Sequence, residues 1–197
     1  LHRHFVSPRS VLELAAAPGL AEQDPEVFWK AVCEACQSLW AQGVDKSSIA
    51  AVSITTQAAT MINVDKDGKP LHPAISWLDQ RRTEGVKPVG GLWGAAFKVA
   101  GASEMVAYLQ AEAEANWIRK HQPKIWDATH KYLFLSGYLT FRMVGKFADS
   151  VGCQLGYIPF DYKKQDWEAS WGWKWRAVPM DKALLPDLLP VASKIGE

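Results

Sequence analysis

The sequence predicts an α/β domain on three observations: a capped amphipathic helix near the start, two short apolar segments directly after it, and further helical stretches beyond. In EQDPEVFWKAVCEACQSLWAQG, Asp24 stands as N-cap, Pro25 takes the first helical position and Gly43 ends the run, giving a helix of about five turns. Phe28, Val32, Ala35 and Leu39 recur at helical spacing. Trp29, Cys36 and Trp40 widen that stripe enough to cover a sheet.

After the polar break VDKSS, the β-branched IAAVSITTQ predicts a buried strand over 49–57. TMINVDKDGKPL predicts a second strand closing on an Asp-Lys-Asp-Gly turn. Pro70 and Pro73 keep the chain extended as far as Ile75 and Trp77. Gly85, Gly90, Gly91 and Gly94 around Pro88 predict a loop over 84–101, capped by a short helix over 93–99. Ser103 then opens one long helix, SEMVAYLQAEAEANWIRKH, with Val106, Leu109, Ala113 and Trp117 on one face and Pro123 as its stop. A further helix follows Ser136 in SGYLTFRMVG and ends at Gly145. In the tail, the period-two spacing of Trp171, Trp173 and Trp175 predicts three rings on one face of an extended segment, with Trp167 just upstream.

With 197 residues, 48% of them hydrophobic, the chain can bury one good core. A formal net charge of +1 gives no field to attract nucleic acid, and no window approaches the ~20 apolar residues of a membrane span. The start LHRHFVSPRS lacks a signal-peptide pattern, and three cysteines make no disulfide framework, so a cytoplasmic protein is expected. The absence of an initiator Met and the ending VASKIGE suggest a piece of something longer.

Cys33 and Cys36 form a C-x-x-C pair, but they sit well inside the helix, so burial rather than redox or metal chemistry is expected of them. His2, His4, His72, His121 and His130 show no metal-ligand spacing, and no Gly-rich phosphate loop is present. The tryptophan-rich tail could stack on sugars, mediate self-association as a homodimer, or simply glue the tail to the core. The most informative stretch is AISWLDQRR, twenty residues after ITTQAAT. Gln57, Asp79 and Arg81 at strand ends occupy the place where open α/β sheets bind ligands. An amide, an acid and a guanidinium beside the Trp77 indole would suit a polyol. Equally, Asp79 paired with Arg81 or Arg82 would be a purely structural brace.

Taken in order, these segments resemble the FGGY family of carbohydrate kinases. EQDPEVFWKAV resembles its E-Q-D-P helix start, and IAAVSITTQ its strand ending in Gln. VDKDGKPLHPAISWLDQR resembles its D-x-x-G-x-P-L-x-P-A-I-x-W-x-D-x-R run, and LLPVASKIGE its L-P-x-V-x-x-S-x-x-x-G segment. LFLSGYLTFRMVGKFADS resembles the strand, helix and T-G-x-x-x-T-D turn between them, so that the likeness runs from Glu22 to Glu197.

The resemblance implies a ribonuclease H-like α/β domain of the actin-like ATPase superfamily: the N-terminal, sugar-binding domain of a sugar kinase, truncated at both ends. It implies a single domain over 1–197, with a loop and helical insertion over about 84–130. It implies ATP and Mg²⁺ for the full-length enzyme, a sugar or polyol as acceptor, and an ATP-binding C-terminal lobe as partner. Gln57 and Trp77 match positions bordering the family's sugar pocket, while Asp79 and Arg81 match its W-x-D-x-R run, as contacts or as supports. The first hairpin, with its D-x-G-T motif, would precede Leu1, and the catalytic Asp would lie beyond Glu197, so this chain alone is expected to be inactive. Where glycerol-type members carry Arg-Glu after the Gln and xylulose-type members Met-His, this chain carries Ala58 and Ala59. Ala111 and Glu114 likewise stand where the family places a polar and a basic residue before its Trp. These departures imply a divergent branch with a roomier or less polar pocket, and leave open a non-catalytic sugar-binding or regulatory protein.

Overall fold

The computed structural model describes residues 17–196; the readings of LHRHFVSPRS and of His2 and His4 lie outside them. In chain order the elements are β1 (Glu22–Gln23), α1 (Pro25–Ala41), β2 (Met61–Val64), β3 (Ala74–Ile75), α2 (Gly91–Val99), α3 (Ser103–Glu112), α4 (Glu114–His121) and α5 (Pro123–Ala128). They continue with β4 (Lys131–Phe134), α6 (Leu135–Val144), β5 (Ala148–Ser150), β6 (Phe160–Asp161), β7 (Asp166–Trp167), α7 (Lys174–Ala177) and β8 (Asp187–Leu189).

The main sheet has the order β1-β3-β2-β4 and is antiparallel throughout. Alternation along its strands sends neighbouring side chains to opposite faces. Met61, Ile75, Tyr132 and Phe134 enter a core with Val106, Ala113, Ala115 and Ile118 of α3 and α4 and with Phe160, Trp167 and Val178 of the tail. Ile62, Val64, Ala74 and Leu133 enter a second core with Leu135, Tyr138 and Leu139, against which Phe28, Trp29 and Val32 of α1 pack. The result is a three-layer helix–sheet–helix arrangement, as the α/β expectation requires.

Local signals were read correctly where capping decides. Asp24 Oδ1 accepts from Glu26 N at 2.9 Å, Pro25 opens α1, and Gly43 follows it at φ +84°. Gly145 closes α6 in the left-handed conformation at φ +70°. Tyr138 and Arg142 of α6 both donate to Glu26, tying the two helices together.

Four expectations are corrected. Residues 49–57 run without a ladder partner among the described residues, and Val52 is 65% exposed; β-branched residues favour extension, but a strand also needs a neighbour. The long helix expected from Ser103 breaks at Ala113 (φ −66°, ψ 111°) into α3 and α4. The carbonyls released there find new donors: Asn116 Nδ2 donates to Gln110 O at 2.9 Å and Thr83 N to Ala111 O at 2.9 Å. Asn116 also reaches Ala177 O at 2.9 Å, so the break docks the tail. Pro123 is the first residue of α5 rather than a simple stop.

The tail is not extended over its tryptophans, because α7 begins after Trp173. The rings diverge. Trp171 stacks on Trp93 with centroids 6.2 Å apart, Trp173 meets Phe97 edge-on at 5.2 Å, and Trp175 Nε1 donates to Glu168 O at 2.8 Å. Trp167 is buried and donates to Pro186 O at 3.1 Å. These contacts are mostly the gluing kind. Cys33, Cys36 and Cys153 are free and half-buried.

Candidate acceptor site

One end of the main sheet gathers the residues singled out by the sequence. In the ladders Met61 pairs with both Ile75 and Phe134, and Glu22 pairs with Ile75. The segments before β1 and β2, after β3, and at the start of α6 therefore meet at this end. Ser76 N donates to Ala21 O at 2.9 Å, Gln80 N to Gly19 O at 2.8 Å and Leu135 N to Thr60 O at 3.0 Å, lacing the four together.

Asp79 and Arg81 fasten the turn that leaves β3. Asp79 Oδ1 accepts from Arg81 Nε at 2.7 Å and Arg81 N at 2.9 Å; Oδ2 accepts from Arg81 NH2 and from Ala21 N, both at 2.7 Å. Arg81 NH2 also donates to Glu22 Oε1 at 2.7 Å, and its guanidinium lies 4.5 Å from the Trp117 ring centre. Their side chains are only 2% and 4% exposed. Burial works to raise the Asp79 carboxyl, but donation from Arg81 and the Ala21 N–H outweighs it and holds the group below the usual carboxylate range. Both carboxylate oxygens of Asp79, and the Nε and NH2 donors of Arg81, are thus engaged inside the protein. Arg82 points elsewhere, pairing with Glu112 and lying 5.0 Å from the Tyr108 ring centre.

Trp77 sits two residues before this brace and is 58% exposed. Gln57 Nε2 donates to Gln23 Oε1 at 2.9 Å and to Thr60 Oγ1 at 2.8 Å. Both amide protons are engaged, which leaves the Gln57 carbonyl oxygen to accept from a hydroxyl. Continuing the β2–β3 register beyond Met61 and Ile75 sets Ala59 across from Trp77. Ala59 holds φ +50° at the bend it forms with Ala58, a conformation uncommon for a residue with a side chain. The structure brings Gln57, Ala58, Ala59 and Trp77 to one sheet end, with Asp79 and Arg81 behind them.

Glu22, Trp117 and Glu114 belong to this neighbourhood and were not read as site residues. Glu22 stood in the EQDP run, beside the N-cap, and Trp117 in an apolar helical stripe, so neither carried a local signal of pairing with Arg81. Burial pushes the Glu114 carboxyl up to about 7, opposed by its own backbone N–H and aided by the Asp79 and Glu112 carboxylates. A raised carboxyl pKa stabilises the fold fully below about pH 4.5, and that stabilisation is lost as pH rises through about 7. Glu114→Gln is therefore expected to gain roughly 2 kcal/mol over the wild type at pH 8 and nothing at pH 4. Urea unfolding across that range checks this, and parallel pH profiles for the two proteins would contradict it.

At the start of α6 lies a second buried carboxylate. Asp149, 2% exposed, accepts from Ser136 Oγ at 2.7 Å, Ser150 N at 2.8 Å and Gln154 Nε2 at 3.0 Å. Burial pushes it up despite these donors, and Gly137 packs against it, since a Cβ there would stand 3.3 Å from Asp149 Oδ2. It holds β5 to α6.

Residues 8–197 match the family model described as "FGGY family of carbohydrate kinases, N-terminal domain". A glycerol kinase from Thermococcus gammatolerans is 30% identical over 158 residues, covering 77% of this chain and 31% of the relative. A xylulose kinase from Staphylococcus xylosus is 20% identical, covering 91% of this chain and 36% of its own length. Among solved structures, xylulose kinase from Rhodospirillum rubrum superimposes with a TM-score of 0.68 at 17% identity, over 92% of this chain and 38% of that one. The chain thus spans about a third of the length of the curated relatives it matches, and it has the α/β fold of the corresponding part of the sugar kinases. It belongs to the FGGY family of carbohydrate kinases.

Proposed function

We propose that this chain is the acceptor-binding domain of an ATP-dependent carbohydrate kinase, which transfers the γ-phosphate of ATP to a hydroxyl of a sugar or polyol. The observation that carries the reading is Trp77: a large indole left 58% exposed on a turn that Asp79 and Arg81 make rigid. An exposed ring in a fixed position suits the apolar C–H face of a polyol, and the Gln57 carbonyl is free to accept from a hydroxyl beside it. In this division Trp77 and Gln57 touch the acceptor, Ala58 and Ala59 leave space beside it, and Asp79 and Arg81 position the indole. Glycerol and xylulose are natural first candidates, since relatives bear those names.

Among the described residues no group of three or more His, Cys, Asp or Glu side chains could hold a metal ion. In this reading the chain's own part is binding and orienting the acceptor; bound ATP and Mg²⁺ would supply the phosphoryl donor from a C-terminal lobe, which would also bring the catalytic Asp. We read 1–197 as a single domain with its insertion over 84–130, acting in the cytoplasm, with neither nucleic acid nor membrane as partner. Among the described residues, no helix is long and apolar enough to cross a membrane.

The test is ADP release by the full-length protein. Release that requires glycerol, xylulose or another polyol supports the kinase. Release without acceptor, or polyol binding without any release, favours the non-catalytic reading that the two alanines suggest.

A further inference from the structure

A concave region lies between the 83–91 loop, α4 and α7, on the far side of the Asp79 and Arg81 turn in sequence. Its volume is about 670 Å³ and its lining includes none of Gln57, Trp77, Asp79 or Arg81. Four cationic side chains line it, Lys87, Arg119, Lys120 and Arg176, against one carboxylate, Glu84. Glu84 is already engaged by Lys120 at 3.3 Å and His121 at 3.5 Å. Lys87, Arg119 and Arg176 have no ion-pair partner among the described residues. Three cations without an ion-pair partner among the described residues give the concavity a positive local field, which favours an anion over a neutral sugar.

One backbone donor points the same way. The nine-residue helix α2 starts in the same lining at Gly90 and Gly91, and no side chain caps it. The Gly91 N–H has no helical carbonyl to pair with, and the helix dipole favours negative charge there.

We propose that this cleft binds a small phosphate-bearing anion, held by Lys87, Arg119 and Arg176 and by the Gly91 N–H at the start of α2. Arginine forks and helix N-terminal amides both match phosphate oxygens, and the cleft is large enough for a phosphate monoester. This anion would bind whether or not a sugar is phosphorylated at the Gln57 and Trp77 end of the sheet.

Calorimetric titration of the intact protein with inorganic phosphate and, separately, with glycerol phosphate tests this. Saturable binding below about 10 mM is expected, weakened when salt is raised. Lys87→Ala combined with Arg119→Ala is expected to lower affinity at least tenfold. Trp77→Ala should leave anion binding unchanged. Lys87→Ala alone, at an exposed loop position, keeps the comparison valid should the double variant fold poorly, and should cost at least threefold. Tighter binding of the ester assigns the site to phosphate monoesters, and tighter binding of inorganic phosphate assigns it to the free anion. Failure of both anions to saturate, or equal affinity in wild type and the Lys87 variants, would overturn the proposal.

Discussion

Arg81→Leu is expected to destabilise the fold by about 3–5 kcal/mol, because it leaves two carboxylates without their cation. Asp79 is 2% exposed and Glu22 18% exposed at the side chain, and Arg81 is the side chain that bridges them. Neither acid can recover water without opening the turn after β3. The deficit should also depend on pH. In the wild type the Asp79 carboxyl is held low, so its stabilisation is present above the ordinary carboxylate range and lost as pH falls through the folded value. In the variant Asp79 has lost that support and protonates more readily, so the gap between the two proteins should close toward acid pH. Urea midpoints at pH 7 and pH 4 decide this: a gap of equal size at both would mean that lost packing on Trp117, rather than charge, carries the effect.

Gly68→Ala should cost roughly 2–4 kcal/mol from two separate causes. Gly68 closes the turn after β2 at φ +76°, where its N–H donates to Asp65 O at 3.0 Å. A Cβ there would also fall inside the Phe141 ring, which stacks on Phe147 with centroids 4.2 Å apart. Either the turn or the stacked pair must shift. The companion Phe141→Ala should relieve the clash, so the double variant should lose less than the sum of the single losses. Strict additivity in thermal unfolding would show that backbone strain alone sets the cost.

Elements decided by neighbours in sequence were legible in the chain: α1 follows from Asp24, Pro25 and Gly43, α6 from its Gly145 terminator, and the Asp65–Gly68 turn from its composition. Elements decided by distant partners were not. The break at Ala113 depends on Asn116 reaching Ala177, 61 residues away, and on Thr83 taking the Ala111 carbonyl. Residues 49–57 carry strand-forming side chains, yet composition says nothing about whether a neighbour is present. Period-two tryptophans imply one face only on an extended backbone, and α7 removes that condition.

The site divides along the same line. Spacing alone left Asp79 and Arg81 open between brace and pocket wall, since both uses need the same pair of residues. What makes them a brace is the Ala21 N–H and Glu22, 58 and 59 residues upstream, which tie the pair to the segment at β1. Trp77 and Gln57 were visible as candidates because an indole and an amide at strand ends are unusual company. Ala58 and Ala59 stood out as departures from the family pattern, but the left-handed backbone of Ala59 was not legible, because nothing in an alanine announces it.

The acceptor role of Trp77 is tested most directly by calorimetric titration of the full-length protein against glycerol, xylulose, other pentuloses and hexuloses, and inositols, in wild type and Trp77→Ala. Trp77 is exposed, so its removal should leave the unfolding midpoint nearly unchanged. At least one polyol is expected to bind the wild type, and its affinity should fall by about tenfold or more in the variant, the scale of one aromatic contact. A polyol that binds both proteins with equal affinity would contradict the assignment of this end of the sheet as the acceptor site.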